Sequence, residues 1–133
     1  MRALALLIVL WLASPAQAAA VRVVSNGSGQ SIVVDGPITF GDIEAFARAV
    51  DEIKEKGSAV VILTSAGGSG GAGILMGDLV RRSGMNTFVP NEGTCGSACA
   101  MIWIAGVQRT AGKNACIGLH GVYDGASRHR MRR

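Results

Sequence analysis

The sequence predicts an α/β fold, a mostly parallel sheet whose strands are joined by crossover helices, and three observations predict it. Short apolar runs alternate along the chain with segments of helical periodicity, the order that builds parallel sheets with right-handed connections. The run at residues 59–63, Ala-Val-Val-Ile-Leu, shows no polar alternation, as expected of a strand buried on both faces. Two glycine-rich turns, at residues 64–71 and 93–100, follow strands, and open α/β sheets carry their sites beyond the C-terminal strand ends.

Each element has its own warrant. Residues 21–24 and 31–34 are rich in β-branched side chains and flank Ser25, Asn26, Gly27, Ser28 and Gly29, which predicts a hairpin. Thr39 has Asp42 three residues on, a capping-box pattern, and Ile43, Phe46, Ala47, Val50 and Ile53 then share one helical face. Lys54 and Lys56 suit the negative end of that helix, and Gly57 is placed to stop it. After the strand at 59–63, a second amphipathic pattern sets Ala72, Leu75, Met76, Leu79 and Val80 on one face, with Arg81 and Arg82 at its end and Gly84 as the stop. Residues 87–90 read as a short strand, 97–105 as a buried apolar helix closed by Gly106, and 116–120 as a further strand.

The ends of the chain differ from its body. Arg2 precedes an apolar run at 3–12 that falls short of the ~18 residues a membrane span needs. Pro15 and the small-residue sequence Ala16-Gln17-Ala18 follow, so residues 1–18 read as a signal peptide cut after Ala18. A periplasmic or secreted protein is therefore expected, with residues 19–127 as one domain and 128–133 as a basic tail. The formal charge of +4 sits at the ends, because Arg2, Arg128, Arg130, Arg132 and Arg133 all lie there. Between Ala19 and Ser127, eight basic residues face nine acidic ones. A near-neutral body offers no nucleic-acid groove, and no nucleic-acid partner is expected.

A serine hydroxyl needs a base to remove its proton and a donor pair to receive the developing oxyanion. Around Ser97, Gly96 and Ala98 are small enough for a sharp turn and a close substrate, and the helix that follows aims its free amides at the reaction centre. The N–H of Ala98, just past the serine, is the natural first oxyanion donor. Gly68 is the candidate for the second, since glycine lets the backbone approach a bound carbonyl. His120 follows the last predicted strand and is the candidate base. Taken singly these signals have ordinary structural explanations: a serine opening a helix commonly caps it.

Order and spacing make them specific. Ile62-Leu63-Thr64-Ser65-Ala66-Gly67-Gly68, the helix after it, Cys95-Gly96-Ser97-Ala98-Cys99-Ala100 and Ile117-Gly118-Leu119-His120 resemble the successive motifs of the Clp protease proteolytic subunit family. The resemblance is closest to exported bacterial members in which cysteines flank the nucleophile, and it runs from about Ser31 to Asp124. It implies a ClpP/crotonase-like fold, with Ser97 as nucleophile, His120 as general base and the amides of Gly68 and Ala98 as the oxyanion hole. It also implies a peptide or unfolded-protein substrate lying extended beside Gly67, Gly68, Ser69, Gly70 and Gly71, paired as an added strand. No cofactor or metal is implied, and no ATPase partner is expected outside the cytoplasm. The family assembles rings, which leaves self-association of this chain open.

Two departures qualify the likeness. The family's Ser-Pro-Gly-Gly turn is here Ser65-Ala66-Gly67-Gly68, a mild change. The family's helical handle and the aspartate that orients its histidine have no counterpart after His120 in this sequence. Asp124 is the sole carboxylate beyond it, about 13 Å along an extended strand at roughly 3.3 Å per residue. Loss of a triad aspartate can cost on the order of 10⁴ in rate. The expectation is therefore a serine peptidase-like hydrolase, either a Ser-His dyad of low activity or an inactive, truncated relative. A non-catalytic peptide-binding or assembly module is the alternative. An acyl-CoA enzyme of the crotonase type fits less well, because its substrates are cytoplasmic and no glutamate base is evident.

Three cysteines in an oxidising compartment favour one disulfide and one remaining thiol. Cys95 and Cys99 bracket Ser97, and residues four apart on a helical turn lie about 6 Å between Cα atoms, inside the disulfide range. That pair is preferred. A Cys₃His zinc site formed with Cys116 and His120 is the rival, and a buried thiol is expected for Cys116.

Overall fold

The computed structural model describes residues 17–27 and 29–121. The expected signal peptide up to residue 16, Asp124 and the basic tail at 128–133 lie outside the described residues.

Strands β1 (Ala20–Asn26) and β2 (Gly29–Asp35) form the expected antiparallel hairpin, with Asn26 opposite Gly29. Gly29 takes φ +146°, a backbone that L side chains rarely adopt. Helix α1 (Asp42–Glu52) begins at the predicted Thr39–Asp42 pair. The backbone N–H and the hydroxyl of Thr39 both donate to Asp42 Oδ2, at 2.6 and 2.8 Å, and the Asp42 N–H donates back to the Thr39 carbonyl. The acid thus holds the residue before the helix in place, which explains a carboxylate that is almost fully buried. A 3₁₀ turn at Lys56–Ser58 leads to β3 (Val60–Thr64), then α2 (Gly70–Arg82) and β4 (Asn86–Val89). The chain continues through β5 (Thr94–Gly96), α3 (Ala98–Ala105), β6 (Arg109–Ala111) and β7 (Cys116–Gly118).

The main sheet has the order β1-β2-β3-β4-β6, parallel throughout except for the hairpin. Its parallel strands progress in one direction, so right-handed crossovers lay the helices on one face. Burial agrees with this. Ile32, Val34, Val61, Leu63, Thr87 and Val89 are closed off from solvent, while Val33, Ile62 and Phe88, which pair in a row on the other face, are half-buried. The reading of 59–63 as a strand buried on both faces is therefore corrected: β3 alternates, with Val61 and Leu63 buried and Val60 and Ile62 half-buried on the second face.

Two further details differ from expectation. Leu75 is 49% exposed rather than inward. Helix α2 is turned so that Gly73 and Gly77 meet α3. A Cβ on Gly73 would fall 2.6 Å from the Ala98 carbonyl oxygen, and one on Gly77 would fall 3.1 Å from that of Met101. Helices that touch at backbone need no large side chain at the contact, so the apolar stripe is narrower than the leucine pattern suggested. The predicted strand at 116–120 is shorter, Cys116–Gly118, and it joins β5 in a separate two-stranded parallel sheet. Among the described residues, no helix is long and apolar enough to cross a membrane.

Candidate functional site

The turn after β3 is fixed from three sides. Ser65 is buried; its N–H donates to the Thr94 carbonyl at 2.8 Å, and its own carbonyl accepts from Gly96 N–H at 2.9 Å. Its hydroxyl accepts from the Gly67 N–H at 3.0 Å, which closes the Ser65-Ala66-Gly67 bend on itself. From the opposite side, Ile38 N–H donates to the Gly67 carbonyl at 2.9 Å and the Ile38 carbonyl accepts from Ser69 N–H at 2.8 Å. In this parallel bridge Ile38 is paired with Gly68, and the residue at the pairing position turns its own N–H and C=O to the other side. The Gly68 N–H is thereby directed away from Ile38.

Gly67 and Gly68 have φ of +117° and +146°. A Cβ on Gly67 would lie 2.8 Å from Ser97 Cβ, 2.8 Å from the Gly96 carbonyl oxygen and 3.4 Å from the Ala98 nitrogen. One on Gly68 would lie 2.1 Å from the Ile38 carbonyl oxygen. The two glycines are required by close approach, and what Gly67 approaches is Ser97.

Ser97 stands between β5 and α3 with φ 51° and ψ −118°, the values of the first central residue of a type II′ turn, where glycine is usual. Such a residue costs of order 1–3 kcal/mol and persists only where its surroundings dictate it. Its N–H donates to the Gly118 carbonyl at 2.7 Å, and its carbonyl accepts from Met101 N–H at 3.2 Å. Although it occupies the N-cap position of α3, its side chain makes no capping hydrogen bond. Ser69, at the same position of α2, behaves in the ordinary way: its hydroxyl accepts from Ala72 N–H at 3.3 Å. The half-buried Ser97 hydroxyl is thus left for other work. Ala98 is the first residue of α3, so its N–H has no intrahelical acceptor.

His120 arrives through the second sheet. Strand β7 pairs in parallel with β5, with Gly96 opposite Gly118, and Ser97 is tied to Gly118. Two residues of extended chain span at most about 7 Å, which bounds how far His120 lies from Gly118, and no hydrogen bond joins its ring to Ser97 among the described residues. Its ring is exposed, and Nδ1 lies 2.8 Å from the Gly121 carbonyl oxygen. A carbonyl only accepts, so in that bond Nδ1 is the donor.

Cys95 and Cys99 are joined in the preferred disulfide, with Cα atoms 5.1 Å apart and both residues fully buried. Two bridged sulfurs cannot serve as zinc thiolates, which removes the Cys₃His alternative. Cys116 is a free thiol and is exposed, not buried as expected: β7 is an edge strand whose Cys116 and Gly118 face outward. Gly70 and Gly71 lie in the first turn of α2, and Gly71 faces the ring of Phe40, where a Cβ would meet the ring at 2.8 Å. The extended part of the segment proposed to line a substrate is therefore Gly67, Gly68 and Ser69.

Sequence reasoning missed three contributors: Ser65, Ile38 and the Gly118 carbonyl. The spacing Ser65-x-Gly67, a serine two residues before a glycine, was the available signal for the first. The other two act through backbone atoms, which no residue type announces.

The chain is thus a mixed α/β protein with a mostly parallel sheet, three described helices and one disulfide. Comparison with protein-family models gives no match, and comparison with curated proteins gives none either.

Proposed function

We propose that the chain is an exported serine hydrolase with a ClpP/crotonase-like fold, acting on peptide bonds of short or unfolded chains. The observation that carries this reading is Ser97 itself. It holds a glycine-like backbone at a strand-to-helix turn, and its hydroxyl does not cap the helix it opens. A serine placed at such cost without its usual structural return is the pattern of a nucleophile on a sharp turn. In the proposed reaction the Ser97 hydroxyl attacks the substrate carbonyl while His120 Nε2 takes its proton. The N–H groups of Gly68 and Ala98 receive the oxyanion. The proton then passes from His120 to the leaving amine, and water completes the cycle by hydrolysing the acyl-serine.

The substrate class rests on the free backbone edge of Gly68, beside which an extended peptide can pair as an added strand. The disulfide is compatible with the oxidising compartment to which residues 1–18 would direct the chain.

A fluorophosphonate probe tests the reading. Wild-type protein should be labelled on Ser97 and the Ser97→Ala variant should not; an unlabelled, well-folded wild type would sink it. A second reading has one observation in its favour. Among the described residues no carboxylate bonds the His120 ring, whose recorded partner is the Gly121 carbonyl. A peptide-binding module without chemistry would bind peptides equally well with and without Ser97→Ala.

A further inference from the structure

We infer that the Cys95–Cys99 disulfide is the positioning device for Ser97: it imposes the glycine-like backbone, and without it the serine relaxes into an ordinary helix cap. This inference rests on the reading of Ser97 as nucleophile. The bridge closes a ring of residues 95–99 with Ser97 at its centre. Both ends of the ring are fully buried, Cys95 in β5 and Cys99 in the first turn of α3, so the ring is anchored in two elements. The hydrogen bonds at the middle of the ring are made by backbone atoms. Gly96 N–H is held by Ser65, and Ser97 contributes only backbone bonds, to Gly118 and Met101.

A φ of 51° is strained at a serine, and the side chain gains no cap hydrogen bond there. The competing state is present in the same molecule: Ser69 opens α2 with φ −65° and ψ 114° and caps it through its hydroxyl. If the ring is opened, Ser97 can rotate to the same conformation, and its hydroxyl then accepts from the free amides of α3. That rotation carries the oxygen from the reaction centre to the helix end. The bridge holds the chain in the first of these two arrangements, and the nucleophile therefore exists only in the oxidised protein. The sulfurs are closed off from solvent, so the brace persists in the folded protein in the presence of exposed thiols.

The test is the double variant Cys95→Ala/Cys99→Ala, with Cys95→Val/Cys99→Ala as a second form that refills the buried volume. Wild type is also compared after it is unfolded in urea with a dithiol, which exposes and opens the buried bridge, and refolded with the reagent still present. That reagent gives two electrons and two protons to the bridge, yielding two thiols, and is itself closed to a disulfide. Two readouts are taken well below the melting temperature of each protein. The rate of fluorophosphonate labelling at Ser97 should fall on the order of a hundredfold, the loss expected of a nucleophile misplaced by about 1 Å. Amide exchange at Ser97, whose N–H is held by Gly118, should rise at least about tenfold while that of the β4 core is unchanged. Val80→Ala, a core cavity on α2, serves as a control of similar instability and should leave both readouts at wild-type values.

Labelling and exchange equal to wild type in a folded bridge-less protein would overturn the inference. So would failure of both variants to fold, since the bridge would then serve global stability. If wild type is not labelled at all, the hydrolase reading fails, while the exchange measurement still decides whether the bridge holds the turn.

Discussion

Gly67→Ala probes the contact on which the site depends. The added Cβ would sit 2.8 Å from both Ser97 Cβ and the Gly96 carbonyl oxygen. Carbon atoms rest at about 3.5–4.0 Å, so one partner must retreat by roughly 1 Å. Neither is free to do so. Gly96 is bonded to Ser65, Ser97 is bonded to Gly118, and the Cys95–Cys99 bridge spans both. The backbone adds its own cost, because φ +117° lies where L side chains are strained. Strain of about 1–3 kcal/mol and overpacking of about 1–3 kcal/mol together give a destabilisation of about 2–6 kcal/mol. A domain near 100 residues loses roughly 4 °C of melting temperature per kcal/mol, so a drop of about 8–24 °C is expected. Thermal melts followed by circular dichroism measure it, with Gly57→Ala as the comparator. A Cβ at Gly57 meets nothing within 4 Å, and that variant should change stability by no more than about 1 kcal/mol in either direction. A Gly67→Ala melt within about 4 °C of wild type would show that the two turns are not in register as described, and the close approach to Ser97 would have to be abandoned.

Two further outcomes follow from the same bonding. Ser65→Ala leaves the Gly67 N–H without its acceptor and should cost about 1–3 kcal/mol in urea unfolding, with faster amide exchange at Gly67; unchanged exchange would count against the hydroxyl as the tie. Thr87→Val keeps the shape but removes the hydroxyl that donates to the Trp103 carbonyl at 2.7 Å, so the urea midpoint should fall by an amount worth about 1–3 kcal/mol at constant m-value; an unchanged midpoint would show that this buried bond holds little of α3 against β4.

Much of this architecture was legible in the sequence, and the reasons are specific. The hairpin followed from β-branched runs around Ser25 to Gly29, and α1 from the Thr39–Asp42 spacing, because local chemistry dictates both. Strands β5 and β6 were not legible. Each is three residues long, and Arg109, Thr110 and Ala111 are all exposed, so no periodicity marks them. They are strands because their neighbours β7 and β4 offer unpaired backbone, a property of the assembled sheets. The fate of Leu75 was missed for a related reason: hydrophobic periodicity weights large side chains, whereas α2 meets α3 through Gly73 and Gly77.

The site divides along the same line. Gly67, Gly68 and the Cys95–Cys99 pair were readable because residue type restricts what a position can do: only glycine tolerates these approaches, and only bridged cysteines close the ring. Ser97 was readable only by resemblance, since a serine before a helix is by itself a cap. What separates the two states is backbone conformation, and there the energies are comparable. Closing a five-residue loop removes about 2 kcal/mol of unfolded-chain entropy on the simplest account. The positive φ at Ser97 costs about 1–3 kcal/mol. The two terms are of similar size and opposite sign, so the bridge offsets the strain of the serine in the folding balance. The bridge makes the conformation tolerable, and Gly67 gives Ser97 Cβ the room it needs, since a Cβ at Gly67 would fall 2.8 Å from it. A change at the bridge should therefore act on the serine first and on the fold second, an order that separates a positioning disulfide from one that merely adds stability.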